Sequence, residues 1–130
     1  MWLLDSGCSS HMIGDKSKFI TLKSRNGGLV TFGDDIKKRI IGIGKVGKDS
    51  TTSIDNVLLV DGLAYNLLSI SQLCDNDYDI LFDASKCLIK QNNVIMFVGN
   101  RYNNIYQVDL GSIICNEIKY LASHVNDSWL

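Results

Sequence analysis

The amino-acid sequence predicts a mainly β protein, and three features of its composition and pattern lead to that prediction. Short runs of β-branched and aromatic residues recur along the chain, and such residues favour strands. Residues that favour helices are scarce, because Ala is rare and all of the 14 acidic residues except Glu117 are Asp. Turn-forming Asn, Asp and Gly separate the runs, and this alternation is typical of a β-barrel or a β-sandwich.

The predicted strands are short segments of apolar, β-branched or aromatic residues. They are Trp2–Leu4, Leu29–Phe32, Ile40–Val46, Thr51–Val60, Tyr78–Phe82, Cys87–Lys90, Val94–Val98 and Ile105–Val108. Residues that tolerate left-handed backbone lie between them and predict turns. These clusters are Asn26–Gly28, Gly33–Asp35, Asp61–Gly62, Asp75–Asp77, Asn92–Asn93 and Asn103–Asn104.

Two further segments have a helical pattern. Asn66–Leu73 is too short to be stable without tertiary contacts. Ile113–Ala122 has apolar residues at helical spacing and follows Ser112, which is a suitable N-cap. The expected boundary of the strand-rich part lies at Gly99–Arg101, before this second helix.

The length and charge of the chain narrow its class. A chain of 130 residues suffices for one domain with a short appendage, and burial of roughly two-thirds of its unfolded surface forms a core without disulfides. With 13 basic and 14 acidic residues, it offers no electrostatic reason to bind nucleic acid or an anionic membrane. The apolar run Trp2–Leu4 is too short for a bilayer span or a signal peptide. We therefore expect a cytoplasmic protein with no membrane contact.

Two motifs suggest other chemistry. Gly42–Gly47 spells G-x-G-x-x-G, the dinucleotide fingerprint, but a β-prone stretch follows it where the motif needs a helix. Glycines of a twisted hairpin are the favoured interpretation. Cys8 and His11 supply only two ligands of a zinc site, and although Cys115 and His124 could complete one, nothing in the spacing requires it.

Because Cys8, Ser9, Ser10 and His11 are clustered, a Cys–His or Ser–His nucleophile is also conceivable, although such pairs are usually assembled from distant segments. We favour reduced, mostly buried thiols at all four cysteines. Neither a metal ion nor any other cofactor is expected.

The motif most indicative of catalysis is Asp5-Ser6-Gly7, which follows the apolar strand Trp2–Leu4. An Asp at the end of a buried strand is costly to desolvate, and the following hydroxyl and Gly permit a tight turn in which main-chain amides bond its carboxylate. This arrangement suits an aspartic protease, in which two such Asp side chains share a proton and activate a water. The chain has one D-[ST]-G triplet, so a dyad requires a two-fold homodimer.

The segment Trp2–Asp15, which reads W-L-L-D-S-G-C-S-S-H-M-I-G-D, resembles the protease start of copia-type retrotransposon polyproteins, whose fold is similar to retroviral aspartic proteases (retropepsins). The segment Leu29–Val46 has the place and hairpin character of the retropepsin flap. Asn66–Leu73 lies where retropepsins carry an apolar pair, a Gly and their single helix. Gly99–Tyr106 resembles the segment that precedes integrase in these polyproteins.

The resemblance implies a closed retropepsin-like β-barrel with one short helix over residues 1–98, followed by a pre-integrase segment over 99–130 with a small strand and helix. It implies an aspartic endopeptidase that processes its own polyprotein in the cytoplasm or in virus-like particles. The catalytic residues would be Asp5, Ser6 and Gly7, and the flap residues Phe32, Gly33, Asp34 and Asp35 would contact substrate. The partners would be a second copy of the chain and polyprotein peptides, with no direct contact to nucleic acid.

Two departures from retropepsins favour an alternative. Retropepsins have a further strand or two before the catalytic turn, and only Met1–Leu4 precede Asp5 here, so we expect unpaired strand edges and weak dimerisation. The expected dimer contacts are the chain start and Tyr78–Phe82. Ser69 stands where retropepsins have Gly, so the loop beneath the site is expected to differ. The alternative is a catalytically inactive, decayed or domesticated β-barrel that binds peptide or self-associates.

Overall fold

A computed structural model describes residues 1–32, 35–49 and 51–110. The described residues are mostly strands with one short α-helix, which confirms the predicted all-β class. The strands are β1 (Trp2–Asp5), β2 (Met12–Ile13), β3 (Phe19–Ser24), β4 (Leu29–Phe32), β5 (Ile36–Gly47), β6 (Ser53–Val60), β7 (Asn66–Ser69), β8 (Tyr78–Phe82), β9 (Lys86–Gln91), β10 (Val94–Tyr102) and β11 (Ile105–Val108). The helix α1 covers Ile70–Asp75, and a 3₁₀ turn covers Lys16–Lys18.

These strands form one barrel-like sheet in the order β3-β5-β6-β2-β7-β1-β11-β10-β9-β8, and β4 pairs with β5 as a hairpin. Strand β7 lies between β1 and β2, although it follows both in the chain. It runs parallel to β1 and antiparallel to β2, while β2 runs parallel to β6. This crossing places Asp5, at the end of β1, opposite Ser69, at the end of β7.

The last described strand closes the sheet beside the first. β11 pairs antiparallel with β1, with Trp2 opposite Val108, and it also pairs with β10. The expectation of an unpaired edge at β1 was therefore wrong, because β11 occupies that edge over residues 2 and 3. β10 also runs through the expected boundary after residue 98, so the sheet includes residues on both sides of it. The assignment of 99–130 to a pre-integrase segment stays a prediction.

Three strands, Leu29–Phe32, Tyr78–Phe82 and Ile105–Val108, have the predicted bounds. The predicted helix Asn66–Leu73 was wrong in its first half, because residues 66–69 form β7 and the helix covers only Ile70–Asp75. All four residues of β7 pair with β1, and this tertiary pairing outweighs the weak helical preference of so short a segment. Strands β2 and β3 were not predicted, since β2 has two residues and most of β3 is exposed.

The predicted turns contain left-handed backbone. Asn92 and Asn93, between β9 and β10, have φ of 53° and 64°, and two successive positive values are the signature of a type I′ hairpin. Asn103 between β10 and β11 has φ of 56°, and Asp77 has 66° just before β8. Asn and Asp tolerate this region better than other non-Gly residues, so the strand order in the C-terminal half follows from local sequence.

The main hydrophobic core joins residues from both ends of the described chain. Its buried members come from both the first and the last strands and include Trp2, Ile13, Val57, Leu68, Leu73, Ile89, Phe97, Val108 and Leu110. Cys87 is buried in this core, Cys8 is half-buried and Cys74 is exposed. The expectation of mostly buried thiols was therefore wrong for Cys74. The predicted helix Ile113–Ala122, together with Cys115 and His124, lies outside the described residues.

Candidate active site

The candidate site is built on the turn that follows β1. Asp5 ends β1 and is partly exposed to solvent, so its carboxylate is reachable. The main-chain N–H of Gly7 donates a hydrogen bond of 2.7 Å to Oδ1 of Asp5. A Cβ atom at Gly7 would lie 3.2 Å from the same oxygen, so a side chain there would crowd the carboxylate. The structure thus shows the tight turn and the amide-to-carboxylate bond that the D-S-G triplet predicts.

Ser6 and Gly7 are exposed on the surface beyond the strand end. The resemblance implies that Ser6 orients carboxylates by hydrogen bonding, but among residues 1–32, 35–49 and 51–110 its hydroxyl has no partner. That role stays a prediction for an assembled dimer. Within one chain, the Gly7 amide holds one oxygen of the Asp5 carboxylate.

Beneath this turn lies a network of buried hydrogen bonds that the sequence did not indicate. The Ser69 hydroxyl donates to the carbonyl of Cys8 at 2.7 Å, and the Ser69 N–H donates to Nδ1 of His11 at 2.9 Å. The N–H of His11 donates to Oε1 of Gln72 at 2.8 Å. Ser69 and His11 are both almost completely buried, with exposed fractions of 0% and 1%. The network therefore ties the segment after Asp5 to the junction of β7 and α1.

The protonation of His11 follows from these contacts. Its Nδ1 accepts a hydrogen bond and so carries no proton, which places the proton of a neutral ring on Nε2. Burial disfavours the charged form and lowers the pKa of His11 to about 4. His11 is therefore neutral at physiological pH. Two roles were considered for His11, a zinc ligand and a base for Cys8. Both need a ring nitrogen with a free lone pair, whereas Nδ1 accepts from Ser69 and Nε2 carries the proton.

Cys8 lacks the properties of a catalytic thiol. Burial, together with the nearby charge of Asp5, raises its pKa to about 11. Its Sγ lies 3.8 Å from the main-chain carbonyl of Asp5, a distance that suits a weak donor contact of a protonated thiol. A nucleophilic Cys requires a lowered pKa, so the Cys–His interpretation is disfavoured.

The segment predicted to be a flap forms the β4–β5 hairpin. Phe32 pairs with Ile36 across the hairpin and is partly buried, and Asp35 is exposed at the tip with φ of 60°. The other two predicted flap residues, Gly33 and Asp34, lie outside the described residues. Substrate contact by these four residues stays a prediction.

The glycine motif and the possible metal ligands have structural rather than chemical roles in the described residues. Gly42–Gly47 lies within β5, and no helix follows it, so the interpretation as hairpin glycines is confirmed. A Cβ atom at Gly44 would collide with the main chain of Thr21 in β3, which explains the small residue. Within the described part of the chain, no three His, Cys, Asp or Glu side chains come close enough to hold a metal ion. Nor does that part contain a helix long and apolar enough to cross a membrane.

Comparison with known proteins yields one family. A family model described as the beta-barrel domain of Pol polyproteins matches residues 2–78. The match covers β1 to β7, α1 and the first residue of β8, and so it includes Asp5 and the hydrogen-bond network beneath it. No curated protein and no solved structure matches the chain.

Proposed function

Because the chain belongs to the family of Pol polyprotein β-barrel domains, we propose that it is the protease region of a copia-type retroelement polyprotein. Its proposed activity is that of an aspartic endopeptidase that cleaves its own polyprotein in the cytoplasm or within virus-like particles. The observation that carries this proposal is the partly exposed Asp5 carboxylate, held by the Gly7 amide at the end of a strand enclosed by β7 and β11.

The chemistry needs two carboxylates that face each other. Two close carboxyl groups cannot both be ionised, so the pair holds one proton. The ionised Asp5 of one copy removes a proton from a water, which attacks the carbonyl carbon of the peptide bond. The protonated Asp5 of the other copy gives its proton to the carbonyl oxygen. No metal or other cofactor enters these steps.

Ser6 and Gly7 support the proposed dyad in different ways. Gly7 permits the turn and supplies the amide that fixes one carboxylate oxygen. Ser6 is exposed next to the carboxylate and is available to donate a hydrogen bond across the two-fold axis. The β4–β5 hairpin would close over bound peptide and exclude water from the reaction.

The proposed homodimer cannot use the first strand as retropepsins do. Over Trp2 and Leu3 both edges of β1 are occupied, by β7 and by β11. The strand Tyr78–Phe82, in contrast, is the last in the sheet order and pairs only with β9 within the described residues. Its free edge supports the proposal that β8 contributes to the dimer contact.

The test is cleavage of peptides taken from the polyprotein, measured at several enzyme concentrations. The variant Asp5→Asn is expected to lose all cleavage while keeping the fold, since it removes an ionisable group from a partly exposed position. Asp61→Asn is the matched control, because Asp61 is an exposed Asp in the turn after β6, away from the proposed dimer contact, and the variant is expected to retain full activity. Equal rates for Asp5→Asn and the unchanged chain would refute the protease. A dimer that never cleaves peptide would favour the inactive, peptide-binding alternative.

A further inference from the structure

The loop Ser6–Ser10 connects β1 to β2 and carries the D-S-G turn, yet most of its residues are exposed. Two hydrogen bonds anchor its far end. The carbonyl of Cys8 accepts from the Ser69 hydroxyl at 2.7 Å, and the N–H of His11 donates to Gln72 Oε1 at 2.8 Å. Both partners belong to Ser69–Gln72, the N-cap and first turn of α1, and a further hydrogen bond of 2.9 Å from the Leu58 N–H to the His11 carbonyl ties the same end of the loop to β6.

This segment is a modified capping box. Ser69 is the N-cap of α1 and its Oγ accepts from the N–H of Gln72 at 3.2 Å, as in the S-x-x-Q pattern. In an ordinary capping box the Gln side chain would accept from the N-cap N–H. Here His11 Nδ1 accepts from the Ser69 N–H instead, which leaves Gln72 Oε1 free to bond the main chain of His11.

The number of protons on the Ser69 hydroxyl decides which groups donate in this network. The single hydroxyl proton of Ser69 is used on the carbonyl of Cys8, and its oxygen accepts from Gln72. The contact of 3.1 Å between the Ser69 and Ser71 hydroxyls must therefore have Ser71 as donor. Gln72 Nε2 donates to the carbonyl of Asn56 at 3.0 Å, which extends the network to β6. Ser69, at the centre of the network, is fully buried, and its known donors and acceptors are satisfied.

We propose that Ser69 and His11 are positioning residues for Asp5, a proposal that rests on the proposed proteolytic function. Ser69 lies directly opposite Asp5 in the β1–β7 register, so the Ser69–His11 pair fixes the loop where it leaves the carboxylate. A dyad formed by two chains requires each carboxylate at a defined place, and a displacement of about 1 Å can cost roughly a hundredfold in rate. The hydroxyl of Ser69 bonds the carbonyl of Cys8, and the N–H of Ser69 bonds His11.

The test combines steady-state kinetics with backbone dynamics of the full chain. Ser69→Ala removes the bond to Cys8 and keeps the N–H that bonds His11, while His11→Leu removes the ring acceptor. Both are expected to lower kcat at least about tenfold, with little change in KM, because peptide contacts are untouched. In His11→Asn the amide Oδ1 can replace Nδ1 as acceptor, so this variant is expected to recover most of kcat.

Two further measurements separate positioning from stability and from the protease proposal. Ile89→Val, a fully buried change in β9, controls for lost stability and is expected to leave kcat per folded molecule unchanged. The ¹⁵N order parameter of the Gly7 amide is expected to fall from about 0.85 to below about 0.6 in Ser69→Ala, whether or not the chain cleaves peptide.

A lower Gly7 order parameter in Ser69→Ala, together with no cleavage by the unchanged chain, would support the positioning of the Asp5 loop and refute the protease. Unchanged kcat and an unchanged Gly7 order parameter in Ser69→Ala would overturn the positioning proposal.

Discussion

Around Asp5, strands β1, β2 and β7 enclose two buried polar side chains, His11 and Ser69, whereas the meander β8–β11 encloses apolar ones such as Phe97 and Val108. Buried hydrogen bonds are directional and define one arrangement of the groups they join. Apolar burial is not directional and supplies most of the stability of a fold. The comparison places the buried directional contacts next to the candidate site and mainly apolar contacts in the meander.

The largest effect is expected from removing the end of the meander. A chain that ends after Val98 loses β11, and with it Val108 and Leu110 from the core and the neighbour of β1. Burial of each such side chain contributes about 1.5–3 kcal/mol, and domains of this size are stable by only about 5–15 kcal/mol. We expect this shortened chain to show no cooperative thermal transition by circular dichroism. A chain that ends after Leu110 is the control and is expected to fold.

Should the chain that ends after Val98 unfold at the same temperature as the longer one, the meander would be dispensable. The comparison between the two regions would then be wrong.

A single change in the meander core is expected to have the next largest effect. Phe97 is fully buried, and Phe97→Ala removes its contacts and leaves a cavity, which costs about 3–5 kcal/mol of unfolding free energy. Denaturation in urea measures this loss. The variant is expected to keep its kcat per folded molecule, since the change lies outside the Asp5 loop. A large fall in kcat per folded molecule would show that the meander also positions the site.

The polar region is expected to respond to pH. The pKa of His11 is about 4 in the folded chain and 6.5 when exposed, so the unfolded chain binds the extra proton between these values. The contribution of His11 to stability should therefore fall as the pH is lowered from about 6.5 to about 4, by about 3 kcal/mol in total. Lys45, Asp55 and Tyr78 line the cavity of about 270 Å³ next to His11 and are the charged or titratable groups that face it.

Comparison of His11→Asn with the unchanged chain tests whether His11 causes this pH dependence. His11→Asn keeps an acceptor for the Ser69 N–H but does not titrate, so its stability relative to the unchanged chain should rise as the pH falls through this window. Urea denaturation at pH 7, 5.5 and 4 measures the difference. A difference that stays constant over these three values would contradict a neutral, buried His11.

The smallest effect is expected at a turn of the meander. Asp83 Oδ1 accepts from the N–H groups of Ser85 and Lys86, both at 2.8 Å, in the turn between β8 and β9. Asp83→Ala is expected to lower the midpoint of urea denaturation only slightly, because the bonds lie near solvent and water replaces them in part. Asp79→Ala serves as control and should be close to neutral. A loss as large as that of Phe97→Ala would mean that polar contacts dominate the meander too.

Several parts of the fold and site are predictable from local sequence. The hairpin Asn92–Asn93 and the strands Tyr78–Phe82 and Ile105–Val108 follow from backbone preferences and patterning. The Asp5 turn follows from D-S-G after an apolar strand. The helix predicted over Asn66–Leu73 failed in its first half, because pairing with β1 decides the conformation of residues 66–69. No local pattern reveals that pairing.

By itself, the sequence determined the all-β class, the turns and the tight turn at Asp5-Ser6-Gly7, because each depends on neighbours within a few residues. Only the tertiary structure decided that β7 lies between β1 and β2 and that β11 covers β1. The same is true of the Ser69–His11 pair, whose members are 58 residues apart in the chain. Such contacts form only when the whole sheet buries its apolar residues together, and the energy of that packing is not encoded in any one segment.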